Sequence, residues 1–292
     1  MITSYASLEL AVKATENGAY DFISKPFTPQ ELKTSIENVT KHLFLLRTTR
    51  QMTEEGKQIR FQFLSVLSHE MKAPLNAIEG YLNMMKKKEF GDKIEDYETI
   101  INRTIKRAKG MRHLILDLLD FTKIETGKKR KLEEVDLTGI AKTSIDTMLP
   151  YAIQRDIKIE LHSSGNVKMM ADAKEIEIVY NNLVSNAIKY NKDKGRVDIY
   201  VNKKDDTYII KVKDTGLGMT EEDVSKLFNE FFRVKTPNTK NISGSGLGLS
   251  IVKKITDLYG GNVKVESEPD KGSTFTVELK DATPTDAKTT TL

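Results

Sequence analysis

Two glycine clusters in the C-terminal half of this 292-residue chain could bind phosphate. The first is Asp214-Thr215-Gly216-Leu217-Gly218, and the second runs from Gly244 to Leu249. Glycine lets backbone amides approach a phosphate closely, and the second cluster leads into a predicted helix whose N-terminus favours an anion. Neither cluster matches the P-loop pattern, and each alone is compatible with an ordinary tight turn.

A polar helix face upstream of the glycines adds to this signal. In a helix predicted at 173–190, Asn182, Asn186 and Lys189 recur at spacings of four and three and so share one face. A side-chain amide oxygen suits Mg²⁺, and a lysine offers positive charge to phosphates. Their order with the two glycine clusters predicts a nucleotide site.

Long helices dominate the first half of the chain. Helical periodicity runs from Gln30 to about Lys88, Gly91-Asp92 marks a turn, and a second amphipathic helix ends before Gly127. Two such helices cannot close a large core alone, so we expect a dimeric four-helix bundle. The apolar stripe of the first helix comprises Leu64, Leu67, Met71, Leu75, Ile78, Leu82 and Met85.

Beyond residue 132 the pattern changes to alternating strands and helices. It predicts an α/β sandwich with helices on one face of the sheet, which would hold both glycine clusters and the polar helix face. Strands are predicted at 157–161, 197–201, 208–212, 262–266 and 273–279, and helices at 137–154, 173–190, 220–228 and 247–259. Residues 281–292 are predicted to be disordered.

Composition narrows the class of function. The chain has no cysteine, which excludes thiol redox chemistry, disulfides and Cys-ligated metals. Basic runs at 86–88 and 128–131 stand beside acidic stretches, so they predict solvated helix ends and no nucleic-acid surface. No apolar run approaches the about 18 residues that span a bilayer, so we expect no membrane segment and a cytoplasmic location.

Taken together, these motifs resemble the two-component sensor histidine kinases and their wider ATPase superfamily, which includes gyrase, a heat-shock chaperone and mismatch-repair proteins. The resemblance implies ATP as substrate and Mg²⁺ as cofactor. Asn186 would hold the Mg²⁺, Lys189 and Tyr190 would touch phosphate and sugar, and Asp214 would accept the adenine amino hydrogen.

The resemblance also implies a lid and a closing turn around the nucleotide. Residues 228–233 resemble an aromatic box in which Arg233 points at the phosphates, 234–246 would form a mobile lid, and Thr274 would bind adenine through water. The ATP-binding residues expected on this basis are Asn182, Asn186, Lys189, Tyr190, Asp214, Gly216, Gly218, Arg233, Gly244, Gly246, Gly248, Leu249 and Thr274.

His69 is the candidate phosphoacceptor. A lone histidine on a helix is usually a surface residue, but residues 68–75 resemble the phosphoacceptor box of the family. The resemblance implies attack by the His69 imidazole on the γ-phosphorus of ATP, with Glu70 as orienter or general base. Many members carry Thr or Asn where this chain has Ala73, which predicts weak phosphatase activity. Pro74 predicts a kink just beyond the histidine.

The N-terminal segment resembles the last third of a response-regulator receiver domain. Thr3 and Lys25 match the switch hydroxyl and the phosphate-pairing lysine, but the strands that carry the acidic pair and the phosphoacceptor Asp are missing. The predicted domains are a receiver remnant at 1–40, a signalling helix with a dimerisation and histidine-phosphotransfer hairpin at 41–131, an ATP-binding domain at 132–280 and a tail at 281–292.

The predicted function is autophosphorylation of His69 in a homodimer, followed by transfer of the phosphoryl group to an aspartate of a response regulator receiver domain. Two alternatives stay open. One is an ATP-hydrolysing conformational machine of the same superfamily without a phosphohistidine. The other is a non-catalytic dimeric scaffold that senses nucleotide.

Overall fold

The computed structural model describes residues 2–3, 23–126, 130–234, 236–239, 242 and 244–282, with backbone only at 2–3, 24, 38 and 41–64. The chain divides into two compact units, Met1–His69 and Glu70–Leu292. In the first unit, the short strands β1 (Ile2–Thr3) and β2 (Ile23–Ser24) pair in parallel. The rest of the receiver-like segment before Ile23 lies outside the described residues.

Two long helices carry the phosphoacceptor region. Helix α1 (Pro29–Lys86) runs for 58 residues and includes Pro74, and helix α2 (Glu98–Glu125) has 28 residues. Both helices are confirmed, and α1 stays helical on both sides of Pro74, where a bend stays a prediction. A 3₁₀ turn at Ile94–Tyr97, which the sequence did not predict, precedes α2.

That turn is held by a buried tyrosine. Tyr97 is only 4% exposed, and its hydroxyl donates a hydrogen bond of 2.8 Å to the carbonyl of Gly91. The ring of Phe90 meets the Tyr97 ring edge-on at a centroid distance of 6.1 Å. The corner between the helices is therefore packed, although its sequence reads as a polar loop.

The C-terminal region is an α/β sandwich built on a five-stranded sheet. Its strand order is β4-β6-β7-β9-β8, with β4 and β6 parallel and all other pairs antiparallel. The strands are β4 (Lys158–Ser163), β6 (Arg196–Lys204), β7 (Thr207–Asp214), β8 (Asn262–Glu268) and β9 (Gly272–Leu279). All five predicted strands are confirmed.

Helices α3 (Leu137–Ile153), α4 (Ala173–Lys189) and α6 (Gly248–Leu258) pack together over the sheet, with the short helix α5 (Glu221–Lys226) before the lid. Asp136 and Asp172 cap α3 and α4 by accepting backbone N–H bonds at 3.0 Å. Helix α4 is central because its apolar face is completely buried at Ile176, Val179, Tyr180, Leu183 and Val184. That burial fixes which side of α4 is left for the polar residues.

Two short strands were not predicted. Strands β3 (Glu133–Asp136) and β5 (Lys168–Ala171) form a separate antiparallel pair beside the main sheet. Residues Asp281 and Ala282, expected in the disordered tail, are ordered: the Ala282 N–H donates to the carbonyl of Met170 at 2.9 Å. The Asp281 carboxylate in turn accepts from the Met170 N–H at 2.8 Å. These hydrogen bonds tie the start of the predicted tail to strand β5.

Candidate active site

Asp214 ends β7 with its carboxylate buried beside the first glycine cluster. The residue is 5% exposed, and its Oδ1 accepts the backbone N–H groups of Gly216 at 2.8 Å and Ser273 at 3.3 Å. Its Oδ2 accepts none of the hydrogen bonds found in the described part of the chain, which leaves an acceptor free for a ligand. Burial raises the pKa of Asp214 to about 6, although the two backbone hydrogen bonds oppose that shift.

The glycines after Asp214 are required by close chain approach. A Cβ on Gly216 would lie 2.3 Å from the carbonyl oxygen of Tyr190, at the end of α4. Gly218 has φ of +63°, and its Cβ would lie 1.9 Å from the carbonyl oxygen of Glu268. The loop therefore packs closely against both α4 and the β8–β9 turn. This packing holds Asp214 in place. Admission of a purine by these glycines stays a prediction.

The polar face of α4 turns towards the second glycine cluster. The Asn182 amide nitrogen donates to the carbonyl of Ile178 at 2.9 Å, and a Cβ on Gly248 would lie 2.1 Å from the Asn182 amide oxygen. The side chain of Asn186, one turn later, makes none of the hydrogen bonds found among the described residues. Asn186 is partly exposed, so its amide oxygen is available.

Lys189 completes this face. The residue is exposed as a whole, yet burial around its ammonium group lowers the pKa, an effect that Asp117 opposes and Arg233 reinforces. The ammonium is therefore within electrostatic range of a carboxylate and a guanidinium, although Lys189 makes no ion pair within 4.0 Å among the described residues. Tyr190, the C-terminal cap of α4, is partly buried and accepts the Leu217 N–H at 3.0 Å on its carbonyl. The structure thus brings α4 and both glycine clusters together.

Helix α6 presents an N-terminus without a side-chain cap on its first residues. Its N-cap Leu247 makes no side-chain cap bond, while the Leu247 N–H donates to the Ser245 hydroxyl at 3.1 Å. Gly246 has φ of +77°, and its carbonyl accepts the Phe231 N–H at 3.0 Å. The free N–H groups and the helix dipole suit an anion at this end of α6.

The remaining predicted contacts surround this point. Arg233 donates to the carbonyl of Ile242, Gly244 has open space around it, and Leu249 is partly buried in the first turn of α6. Thr274 lies on β9, paired with β7 and β8. Of the predicted lid, residues 235, 240, 241 and 243 lie outside the described residues.

His69 and Glu70 are consecutive exposed residues of α1, and Ala73 and Pro74 follow in the same helix. His69 is the last residue of the first compact unit, and the nucleotide-site residues belong to the second. An exposed imidazole is open to an incoming substrate, which is what a phosphoacceptor requires.

Sequence reasoning missed Asn191, a buried residue that ties the end of α4 to the Asp214 loop. Its amide nitrogen donates to the carbonyls of Ala187 at 3.0 Å and Arg196 at 3.1 Å. Its amide oxygen accepts from the Thr215 hydroxyl at 3.2 Å. The signal was a fourth asparagine in this segment, directly after Tyr190, and its position is that of an ordinary helix end.

Sequence reasoning also missed Asp117. This α2 residue accepts a hydrogen bond from the Ser245 hydroxyl and lies near Lys189. Its position brings the second helix of the hairpin to the edge of the nucleotide site.

The donor set fits a magnesium ion shared with a nucleotide. Mg²⁺ takes hard oxygen ligands and keeps several waters, so one protein amide oxygen with phosphate oxygens is sufficient. Asn186 offers that oxygen, and Lys189 offers positive charge beside it.

Comparison with known proteins identifies both halves of this arrangement. Residues 59–127 match the His Kinase A (phospho-acceptor) domain. Residues 171–283 match the Histidine kinase-, DNA gyrase B-, and HSP90-like ATPase. The first match contains His69, and the second contains every nucleotide-site residue described above except Asp117.

Two curated relatives match both domains in sequence, and a solved structure shares the fold. Sensor histidine kinase RcsC of Escherichia coli strain K12 is 32% identical over 238 residues, 80% of this chain and 25% of that protein. Signal transduction histidine-protein kinase BarA of the same strain is 30% identical over 260 residues, 84% of this chain and 27% of that protein. Histidine kinase ThkA, solved in complex with response regulator protein TrrA, matches with TM-score 0.61 at 23% identity, covering 76% of this chain and 61% of that one.

The chain therefore contains a His Kinase A (phospho-acceptor) domain followed by a histidine kinase-, gyrase- and HSP90-like ATPase domain, as the sequence predicted. The predicted fold class is confirmed. The chain spans about a quarter of the length of RcsC and BarA. Among the helices of the described residues, none has the length and apolarity to cross a bilayer.

Proposed function

We propose that this chain binds ATP with Mg²⁺ in its C-terminal domain and transfers the γ-phosphoryl group to His69. The observation that carries this proposal is the convergence of a buried acceptor, Asp214, with the polar face of α4 and the open N-terminus of α6. These three features offer partners for adenine, metal and phosphate respectively.

Asp214 is suited to the adenine end of the nucleotide. Its Oδ1 is occupied by two backbone amides, which leaves Oδ2 to accept from the exocyclic amino group. A buried acceptor that goes unpaired is costly, so this carboxylate discriminates against a purine that lacks the amino donor. Thr274 would support the ring from the β9 side through water.

The phosphate end would lie between α4 and α6. Asn186 would hold Mg²⁺, which when bound neutralises charge on the phosphate oxygens. Lys189 and Arg233 supply positive charge, and the N-terminus of α6, which has no side-chain cap, favours an anion. Gly244, Gly246 and Gly248 would keep the backbone there accessible.

At the phosphoacceptor, a neutral His69 nitrogen would form a bond to the γ-phosphorus as the bond to the β–γ bridging oxygen breaks, leaving ADP. Glu70 follows His69 directly and would orient the ring or take the proton from its other nitrogen. The exposure of both side chains on α1 supports these roles.

We further propose that the chain works as a homodimer through the hairpin of α1 and α2. Large apolar side chains of the hairpin stay exposed in the single chain, and their burial needs a second copy. They include Leu75 at 45%, Leu82 at 51%, Ile105 at 46%, Leu116 at 50% and Leu119 at 48% exposed.

The phosphoryl group would pass from His69 to an aspartate of a response regulator receiver domain. Ala73, exposed on α1, carries a methyl group that cannot hold a water in line, which supports weak phosphatase activity. The proposed domain limits are those predicted from the sequence, with a receiver remnant at 1–40. Parallel pairing of β1 with β2 supports that remnant, because it places Thr3 opposite Ser24, the residue before Lys25.

Labelling with [γ-³²P]ATP tests the proposal against the ATP-hydrolysing alternative. A histidine kinase acquires protein-bound label that is acid-labile and base-stable, whereas a conformational ATPase releases phosphate and stays unlabelled. Turnover of ATP without any protein-bound label would overturn the proposal.

A further inference from the structure

The second helix of the hairpin makes a specific contact with the edge of the nucleotide site. Asp117, on α2, accepts a hydrogen bond from the hydroxyl of Ser245, within the second glycine cluster. The two residues are 128 positions apart in the sequence. This is therefore a tertiary contact between the hairpin and the ATPase domain.

The Asp117 carboxylate lies among positively charged and donor groups. Burial raises the pKa of Asp117, and the neighbouring Asp120 adds to that effect, while the Ser245 hydrogen bond and the charges of Lys189 and His113 oppose it. Lys189 is the residue whose ammonium is expected to contact phosphate. Ser245, the hydrogen-bond donor, lies between two glycines of the phosphate-binding cluster.

Further contacts extend the interface along α2. The Lys254 ammonium of α6 lies 2.7 Å from a Glu125 carboxylate oxygen and 4.4 Å from the centre of the Phe121 ring. Phe121 is only 3% exposed. The last two turns of α2 are thus packed against α6, whose N-terminus is part of the proposed phosphate site.

A carboxylate and a phosphate oxygen are recognised by the same chemistry, namely ammonium, guanidinium and N–H or O–H donors. A carboxylate and a phosphate therefore compete for the same donor groups when the site has room for only one of them. Asp117 accepts a hydrogen bond from Ser245 and attracts Lys189 electrostatically, and both residues lie where the phosphates of a nucleotide are proposed to bind.

We propose that Asp117 is an autoinhibitory residue whose carboxylate binds the Ser245 hydroxyl, beside Lys189, in the place of nucleotide phosphate. Release of this contact frees the glycine cluster and the lysine for the triphosphate and separates the ATPase domain from α2. The inference rests on the proposed function, because it takes residues 244–249 and Lys189 as the phosphate site.

Calorimetric titration of the full chain tests this with AMP-PNP and Mg²⁺, and separately with adenosine, which has no phosphates. Asp117→Asn keeps the shape and removes the charge, and we expect it to raise AMP-PNP affinity by about tenfold, because the competent state no longer has to displace a carboxylate. Adenosine affinity should not change.

Asp120→Asn is the matched control. Asp120 is one turn further along α2 and pairs with Lys123 at 3.3 Å, so its loss removes an equal charge without touching Ser245. AMP-PNP affinity should stay at the wild-type value in this variant. If Asp120→Asn also raised AMP-PNP affinity tenfold, the gain would come from the loss of any nearby negative charge, and the inference would be overturned.

Two other results separate the inference from the proposed function. If the wild-type chain binds no AMP-PNP, the proposed function fails. If it binds and Asp117→Asn binds no tighter, or gains equally for adenosine, only the autoinhibitory role fails. Circular dichroism confirms that each variant is folded, and Asp117→Ala serves as a second charge-free variant with the same expected gain.

Discussion

Replacing Asp214 with asparagine should have opposite effects on two properties of the ATPase domain: its stability should rise and its affinity for ATP should fall. Burial raises the pKa of Asp214 from 3.8 to about 6. At 1.36 kcal/mol for each pKa unit, that difference amounts to about 3 kcal/mol. Asparagine keeps an oxygen for the Gly216 and Ser273 amides but carries no charge to bury. We therefore expect Asp214→Asn to be the more stable chain at neutral pH.

The sign of the pH dependence follows from which state holds the proton more tightly. Because the pKa of Asp214 is raised in the folded chain, the folded state keeps the proton at pH values where the unfolded state has lost it. The resulting stabilisation is fully present below about pH 4 and is lost as the pH rises through about 6. The free energy of unfolding of wild type relative to Asp214→Asn should fall over that window by up to about 3 kcal/mol and then stay constant.

Urea unfolding of both chains between about pH 4 and 8, followed by circular dichroism, measures this difference. Ionisable groups that are present in both chains contribute equally to the two free energies, so their contributions cancel. ATP affinity should move the other way and drop at least about tenfold, because the asparagine NH₂ group can face the adenine amino group as a second donor. A difference in unfolding free energy that does not vary with pH would refute the reasoning, as would a less stable Asp214→Asn chain at about pH 7.5.

Three further substitutions test other parts of the site. Asn186→Ala should lower ³²P labelling at least about tenfold, because the metal ligand is lost, while calorimetry shows unchanged adenosine binding; undiminished labelling would contradict the magnesium role. Gly218→Ala would place a Cβ 1.9 Å from the carbonyl oxygen of Glu268, so the free energy of unfolding measured in urea should fall by about 2 kcal/mol or more. A variant as stable as wild type would show that the loop can move to accept the Cβ. Ala73→Thr should speed dephosphorylation of a phosphorylated regulator without ATP, and an unchanged rate would remove the explanation for weak phosphatase activity.

Periodic apolar patterns made most of the fold predictable from the sequence. The strand predicted at 262–266 is β8 (Asn262–Glu268), and the helix predicted at 173–190 is α4 (Ala173–Lys189). Strands β3 and β5 were missed because Glu133–Asp136 and Lys168–Ala171 are four residues long and carry charged residues, so alternation gives too weak a signal.

The candidate site was predictable where its residues are close in sequence. Asn182, Asn186 and Lys189 share a helix face by spacing alone, and the structure adds that this face meets Gly248. Asp117 was not predictable, because an aspartate on an amphipathic helix reads as a solvated residue. Its contact with Ser245 depends on how α2 packs against α6, which no local pattern encodes.

Mapping the phosphorylated residue tests the central claim most directly. After incubation of the full chain with [γ-³²P]ATP and Mg²⁺, proteolysis at neutral or alkaline pH should give one labelled peptide that contains His69. His69→Gln should carry no label. His113→Gln is the matched control, since His113 is also an exposed helical histidine and contacts only the Lys109 carbonyl of its own helix at 2.8 Å among the described hydrogen bonds. It should label like wild type. Label that persists in His69→Gln, or that maps to another residue, would contradict the account.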